Sequence, residues 1–201
     1  MSLDPQAAGS ARWKVLIVDD EPAVHDVSRL VLGDLVFEGR GIELLSAGSS
    51  AQAREILSRE RDVALVLLDV VMETDDAGIV LVQYIREQLR DIRMQIVLRT
   101  GQPGMAPERD MVLRHEINGY FLKTDITAQR LHSIVISALR TYRFALTRQA
   151  ATERALLQAN PRAPDPARQA LAMELAHQRA DDVILLHAQP EVALASNQIA
   201  G

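Results

Sequence analysis

Residues 65–78 read LVLLDVVMETDDAG and begin with four consecutive aliphatic side chains that end at Asp69. A continuous apolar run of this kind is typical of a strand that is buried on both faces of a parallel sheet. An acidic loop and then Gly78 follow the run directly. The stretch therefore predicts a rigid central strand that delivers one carboxylate to the edge of a sheet.

Similar apolar runs alternate with helical patterns through much of the chain. Runs rich in β-branched and aliphatic residues predict strands, and the segments between them carry apolar residues at helical spacing. The predicted strands are 14–18, 42–47, 63–68, 95–99 and 119–123, and the predicted helices are 22–36, 49–60, 77–90, 106–116 and a segment from the N-cap Thr127. Five such repeats with short connections favour an α/β fold whose parallel sheet is covered by helices on both faces.

The pattern changes beyond this α/β region. We predict a disordered leader over residues 1–12, the α/β domain over 13–143 and a helical extension over 144–201. The extension contains a linker rich in proline near 160–166, followed by a helical pattern over 167–187.

Composition excludes several classes of function for the sequence as a whole. The 201 residues carry a net charge of -5 and only 3% aromatic side chains, so we expect no direct binding of nucleic acid or of an anionic membrane. Cysteine is absent, which excludes disulfides and thiolate metal sites. No apolar run approaches the length of a membrane span, and we expect a cytoplasmic location.

Polar side chains follow four of the predicted strands. Asp19 and Asp20 end the first, Asp69 the third, Thr100 the fourth and Lys123 the fifth. Because ligands of such sheets bind beyond the carboxyl ends of the strands, these groups are expected to converge. Three close carboxylates favour a divalent cation, for which Mg²⁺ is the natural candidate, and a carboxylate beside it can act as a nucleophile toward phosphorus.

Four segments carry a family resemblance. VLIVDDEP (15–22), LVLLDVVM (65–72), VLRTG (97–101) and GYFLKT (119–124) together resemble the receiver domain of two-component response regulators. The resemblance implies a five-stranded, doubly wound, flavodoxin-like fold with strand order 2-1-3-4-5. It also implies that a phosphohistidine kinase or phosphotransfer protein transfers a phosphoryl group to Asp69.

The resemblance further implies a role for each residue of the site. Asp20 and Asp69 would bind Mg²⁺ directly together with the backbone carbonyl of Val71, and Asp19 would act mainly through metal-bound water. The side chains of Thr100 and Lys123 would contact the phosphoryl oxygens. No organic cofactor is implied.

The same resemblance predicts a switch. Tyr120 occupies the aromatic switch position, and Thr100 would move toward the phosphoryl group while Tyr120 turns inward. The surface formed by 106–116, 119–123 and the helix from Thr127 would then change. We predict a homodimer through this surface or through the C-terminal helices.

The sequence also departs from the family pattern. Glu73 and Thr124 stand where receivers usually carry proline, and we expect a trans peptide between Lys123 and Thr124 because a non-proline cis bond costs ~3 kcal/mol. METDDAG (72–78) with LRTGQPGMAPERD (98–110) resembles a subgroup often linked to cyclic-nucleotide-signalling output domains, including cyclic-di-GMP phosphodiesterases. No such catalytic domain fits within 144–201, so the sequence is not predicted to be an enzyme in its own right.

Two other functions fit parts of the pattern. A receiver-like interaction module that is never phosphorylated would keep the fold without the chemistry, whereas this chain keeps all five chemical positions. A hydrolase of the haloacid dehalogenase type also uses an aspartate nucleophile with Mg²⁺. That class requires a second acid two residues after the nucleophile, where Val71 stands here.

Overall fold

The computed structural model describes residues 12–101, 116–125 and 127–159. Its strands are β1 (Trp13–Val18), β2 (Val36–Phe37), β3 (Arg40–Ala47), β4 (Val63–Asp69), β5 (Gln95–Thr100) and β6 (Gly119–Leu122). They form one sheet in the order β2-β3-β1-β4-β5-β6. All neighbours except β2 and β3 are parallel. Without β2, this is the predicted order 2-1-3-4-5, which is confirmed.

The helices are α1 (Pro22–Leu32), α2 (Ser50–Arg59), α3 (Ala77–Gln83) and α4 (Ala128–Ala159). One π-helical turn (Tyr84–Gln88) extends α3, and a short 3₁₀ turn (Lys123–Asp125) follows β6. Side chains cap the N-termini of α2 and α4. Ser49 Oγ accepts the Gln52 N–H at 3.2 Å, and Thr127 Oγ1, the predicted cap, accepts the Arg130 N–H at 3.2 Å.

The core is aliphatic and lies on both faces of the sheet. Every residue of β4 is buried, as a central parallel strand requires. On one face, α2 and α3 pack against alternate strand positions in a single cluster that includes Leu16, Leu57, Val66, Leu81 and Ile96. The intervening strand positions are equally buried, and α1 and α4 cover them. His132 Nε2 of α4 donates to the Val31 carbonyl of α1 at 2.6 Å.

The predicted end of the first helix was wrong. α1 stops at Leu32 rather than at residue 36, and Val36–Phe37 forms an antiparallel hairpin with β3. The hairpin turn places Glu38 and Gly39 at φ values of 50° and 74°, which suits a tight two-residue turn. The Trp13 indole N–H donates to the Phe37 carbonyl at 3.0 Å. The apolar residues near 35–37 therefore lie at the edge of the sheet and not on a face of α1.

Several predictions lie wholly or almost wholly outside the described residues. They are the leader, the helix 106–116, the linker near 160–166 and the helix 167–187. Within the described residues, α4 continues past residue 143 to Ala159. By its contacts the chain divides into two compact units, residues 1–145 and 146–201. No described helix is long and apolar enough to cross a membrane.

Candidate functional site

Three carboxylates meet at the carboxyl edge of β1 and β4. One ligand oxygen from each of Asp19, Asp20 and Asp69 lies within 4.8 Å of the others. Asp19 and Asp69 are buried, with relative exposures of 0% and 4%, whereas Asp20 is exposed. This arrangement concentrates negative charge at a point that opens to solvent on one side. It fits a hard divalent cation, which prefers carboxylate oxygens and retains some water.

The backbone around Asp69 is held from two sides. The Val70 N–H donates to the Arg99 carbonyl of β5 at 3.1 Å, and the Gly78 N–H donates to the Val70 carbonyl at 3.1 Å. A Cβ on Gly78 would lie 2.2 Å from the Asp69 carbonyl oxygen. Only glycine therefore allows the start of α3 to approach the end of β4 so closely.

Lys123 lies over the acidic cluster. Its Nζ is 2.7 Å from Asp69 Oδ2, 3.2 Å from Asp19 Oδ1 and 2.7 Å from Glu21 Oε1. Burial lowers the pKa of Lys123, but the hydrogen bonds to Asp69 and Glu21 outweigh it and the net shift is upward. Burial raises the pKa of Asp69, and the Lys123 ammonium opposes that rise. Lys123 is thus fixed as a cation beside the Asp69 carboxylate.

Thr100 ends β5 next to this cluster. It is fully buried, and its register partner on β6 is Leu122, the residue before Lys123. The structure therefore brings the ends of β1, β4, β5 and β6 together, as the positions of the polar residues predicted. A hydroxyl, an ammonium and three carboxylates at one edge can stabilise a phosphoryl group on a carboxylate.

Comparison with known proteins agrees with this geometry. The family model described as the response regulator receiver domain matches residues 15–136. The chain belongs to the response regulator receiver family. This confirms the family resemblance, and with it the predicted class of function, a response regulator receiver of two-component signalling.

Two curated relatives share this receiver region. The chain is 46% identical over 131 residues to the 3'3'-cGAMP-specific phosphodiesterase 2 of Vibrio cholerae, which covers 65% of this chain and 25% of the relative. It is 31% identical over 130 residues to the response regulator protein PilR of Pseudomonas aeruginosa. This match covers 65% of this chain and 27% of the relative. The chain thus spans about a quarter of the length of these relatives.

Solved structures support the fold. The signal receiver domain of an HD domain-containing protein from Pseudomonas fluorescens Pf-5 matches with a TM-score of 0.58 at 23% identity, covering 71% of this chain and 97% of that one. The chemotaxis protein CheY4 of Vibrio cholerae matches with a TM-score of 0.52 at 20% identity, covering 64% and 100%.

The receiver site contains a second cation, Arg99, which is buried and was not predicted from the sequence. Arg99 Nη2 lies 3.4 Å from Asp19 Oδ2, and the Arg99 side chain is only 5% exposed. Burial lowers the pKa of Arg99, while the charges of Asp19 and Asp69 oppose that shift. An arginine within the otherwise apolar run IVLR was the available signal, because a buried guanidinium needs a carboxylate nearby.

Two further contacts around Asp19 were also missed. His25 is buried on α1, and its Nε2–H donates to the Asp19 carbonyl at 2.7 Å. Asp19 Oδ1 accepts the Glu21 N–H at 3.1 Å. Together they fix the turn between β1 and α1, which sets the direction of the Asp19 carboxylate.

The structure describes both positions at which the sequence departs from the receiver pattern. The Lys123–Thr124 peptide is trans, as expected. Glu73 is exposed, and its Oε1 accepts the Ser50 N–H at the start of α2 at 2.9 Å. In the same loop, the Val71 N–H donates to Asp69 Oδ1 at 3.4 Å.

Tyr120 lies on β6 and packs against the core cluster. Its hydroxyl is buried and has no hydrogen-bond partner among the described residues. Burial raises the pKa of Tyr120. A buried phenol without a partner is a group that can change position at little cost in hydrogen bonding.

Proposed function

We propose that Asp69 accepts a phosphoryl group from a phosphohistidine of a sensor histidine kinase or phosphotransfer protein. The observation that carries this proposal is the position of Lys123 Nζ, 2.7 Å from Asp69 Oδ2 at the edge of a three-carboxylate cluster. The ammonium neutralises a carboxylate that would otherwise repel an incoming phosphoryl group. It also lies where the new phosphoryl oxygens would need a cation.

In this proposal Asp19, Asp20 and Asp69 hold Mg²⁺, with the carbonyl of Val71 as a further ligand. The convergence of one carboxylate oxygen from each aspartate within 4.8 Å supports these three ligands, and the Val71 carbonyl is implied by the family resemblance. When bound, Mg²⁺ supplies charge neutralisation for the phosphoryl oxygens.

The transfer itself is a substitution at phosphorus. An Asp69 carboxylate oxygen forms the new O–P bond as the N–P bond of the phosphohistidine breaks, and the bonding electron pair stays with the imidazole nitrogen. The Lys123 ammonium and the Thr100 hydroxyl stabilise the transferred oxygens, and the rigid β4 strand keeps Asp69 in position. The receiver can therefore assist its own phosphorylation through Lys123 and Thr100.

The switch proposal follows from the added charge. A phosphoryl group brings about -1.5 to -2 charge and new acceptors, which would draw the Thr100 hydroxyl toward Asp69. Tyr120, with its unpartnered hydroxyl, would then move into the space that Thr100 leaves. We expect the Thr100→Ala variant to accept a phosphoryl group on Asp69. The environment of Tyr120 in this variant should nevertheless remain the same as in the unphosphorylated protein. Fluorine NMR of fluorotyrosine-labelled protein with beryllofluoride checks this, and an unchanged Tyr120 signal in the parent would contradict it.

The partners and location of the chain complete the proposal. We propose a cytoplasmic protein that meets a histidine kinase and forms a homodimer through the switch surface or the C-terminal helices. We retain the assignment of 13–143 as the receiver and 144–201 as a helical extension. Because a curated relative is a cGAMP-specific phosphodiesterase, we propose that this receiver regulates an output in cyclic-nucleotide signalling.

Intact-mass spectrometry tests the proposed phosphorylation. Incubation with acetyl phosphate and Mg²⁺ should add one phosphoryl group to the parent and none to Asp69→Asn, and chelation of the metal should abolish the gain. A receiver that requires its own kinase would not react with acetyl phosphate. Beryllofluoride tests that case, because a competent acidic pocket binds this phosphoryl mimic without a kinase. If the parent neither gains mass nor binds beryllofluoride, the proposal is wrong and a pure interaction module is favoured.

A further inference from the structure

Arg99 lies in one row with the acidic residues of the site. In the parallel pairing of β4 and β5, Asp69 and Arg99 are register partners, so their side chains leave the sheet on the same face. Val18 and Leu68 are partners in the pairing of β1 and β4, which places Asp19 beside Asp69. Asp69 and Arg99 therefore lie side by side on adjacent strands, and Asp19 lies next to Asp69 directly after the end of β1.

The burial of Arg99 demands an explanation. A guanidinium that is 5% exposed has lost most of its hydration, and such a loss must be compensated by charged or hydrogen-bonding partners. Its Nη2 contacts Asp19 Oδ2, while the Nε–H is buried and has no hydrogen-bond partner within the described part of the chain. An aliphatic residue would fit the surrounding strand without this cost. The position of Arg99 is therefore tied to the acidic cluster rather than to the packing of β5.

The charges of the cluster indicate the effect of Arg99. Four carboxylates lie here, those of Asp19, Asp20, Glu21 and Asp69, and two cations, Lys123 and Arg99, lie among them. With all six groups ionised, the local net charge is -2. Without Arg99 it would be -3. Arg99 thus lowers the attraction of the pocket for a dication and occupies an oxygen of Asp19.

We propose that Arg99 is a positioning residue that acts as a resident counter-cation, stabilising the metal-free pocket and weakening Mg²⁺ binding by holding Asp19. This inference rests on the proposed Mg²⁺ site, which it deepens. In this proposal the guanidinium and Mg²⁺ compete for the negative charge of Asp19. The metal affinity of this receiver is consequently set by Arg99 as well as by the three acids.

Calorimetric titration of the full chain with Mg²⁺ tests the proposal. Arg99→Met and Arg99→Gln should each bind Mg²⁺ roughly tenfold more tightly than the parent, because a buried positive charge near the metal has been removed. Arg140→Met removes the same charge from an exposed position of α4 and should leave the affinity unchanged. The Mg²⁺ affinity of Arg99→Lys should lie between that of the parent and those of the neutral variants.

Thermal unfolding provides a second readout that does not depend on phosphorylation. Without Mg²⁺ the neutral variants should melt below the parent, since their carboxylates have lost a counter-cation. Added Mg²⁺ should raise their melting temperature by more than it raises that of the parent, because a ligand stabilises in proportion to its affinity. Circular dichroism verifies that the variants are folded.

Equal or weaker Mg²⁺ binding by folded Arg99→Met and Arg99→Gln would overturn the inference, as would the absence of Mg²⁺ binding in every protein. Failure of the proposed function gives a different result. If the parent gains a Mg²⁺-dependent phosphoryl group while the affinities are unchanged, only the role of Arg99 is wrong. If no protein gains one or binds beryllofluoride, the phosphoacceptor proposal itself fails.

Discussion

At the residue scale, the receiver site is a set of charges that compensate one another. Lys123 contacts three carboxylates, and Arg99 contacts Asp19 from within the sheet. The positions of Asp19, Asp69 and Lys123 could be predicted from sequence because each follows a recognisable strand. For Arg99 the apolar run IVLR signals only that a carboxylate lies nearby, and its neighbours in the site follow from the register pairing of β5 with Asp69 on β4.

Gly78 offers the sharpest steric test at this scale. A Cβ there would lie 2.2 Å from the Asp69 carbonyl oxygen and 2.8 Å from Val70 Cα. Gly78→Ala should therefore lower the free energy of unfolding by about 3 kcal/mol and slow phosphorylation, since backbone atoms must move. Urea unfolding measures the first effect.

Gly41→Ala is the matched control for this substitution. A Cβ on Gly41 meets nothing within 4 Å, so its stability should stay within about 0.5 kcal/mol of the parent. Equal stability of the two variants would show that the close approach at Gly78 imposes no constraint.

At the element scale, strands were easier to predict than the ends of helices. The five parallel strands of the core were found because continuous aliphatic runs leave few other structures. The helix 22–36 was predicted too long, since apolar residues of the β2 hairpin continued its pattern. The helix 77–90 contains a π-helical turn at Tyr84–Gln88, and no periodicity in the sequence distinguishes that turn from an ordinary helix.

Hydrogen bonds from the Arg86 side chain stabilise the π-helical turn. Its guanidinium donates to the carbonyls of Asp91, Met94 and Glu116 at 2.5, 2.9 and 2.9 Å. Burial lowers the pKa of Arg86, opposed by the charge of Glu116. These bonds join the π-helical turn to the segments that precede β5 and β6.

Arg86→Met should therefore destabilise the protein by at least about 3 kcal/mol, because it leaves several carbonyls without their donor. Arg59→Met is the control, since Arg59 is an exposed partner of Glu55 on α2 and such pairs contribute about 0.5 kcal/mol. Chemical denaturation of both variants checks this. A loss for Arg86→Met no larger than that for Arg59→Met would contradict the structural role.

At the scale of the whole molecule, one edge of the sheet carries the groups that a single phosphorylation needs. The fold places five polar residues at the carboxyl ends of four strands, and the receiver family match covers the same region. The extension beyond 143 was predicted as helical, and within the described residues α4 continues to Ala159. We therefore propose Asp69 as the residue that carries the phosphoryl group.

Mapping the modified residue tests this claim most directly. The full chain is phosphorylated with acetyl phosphate and Mg²⁺, the acyl phosphate is reduced with borohydride, and peptides are sequenced by mass spectrometry. We predict that the reduced residue is Asp69 and that neither Asp19 nor Asp20 is altered. A phosphoryl group on any other residue of a protein whose Asp69 remains unmodified would contradict the account.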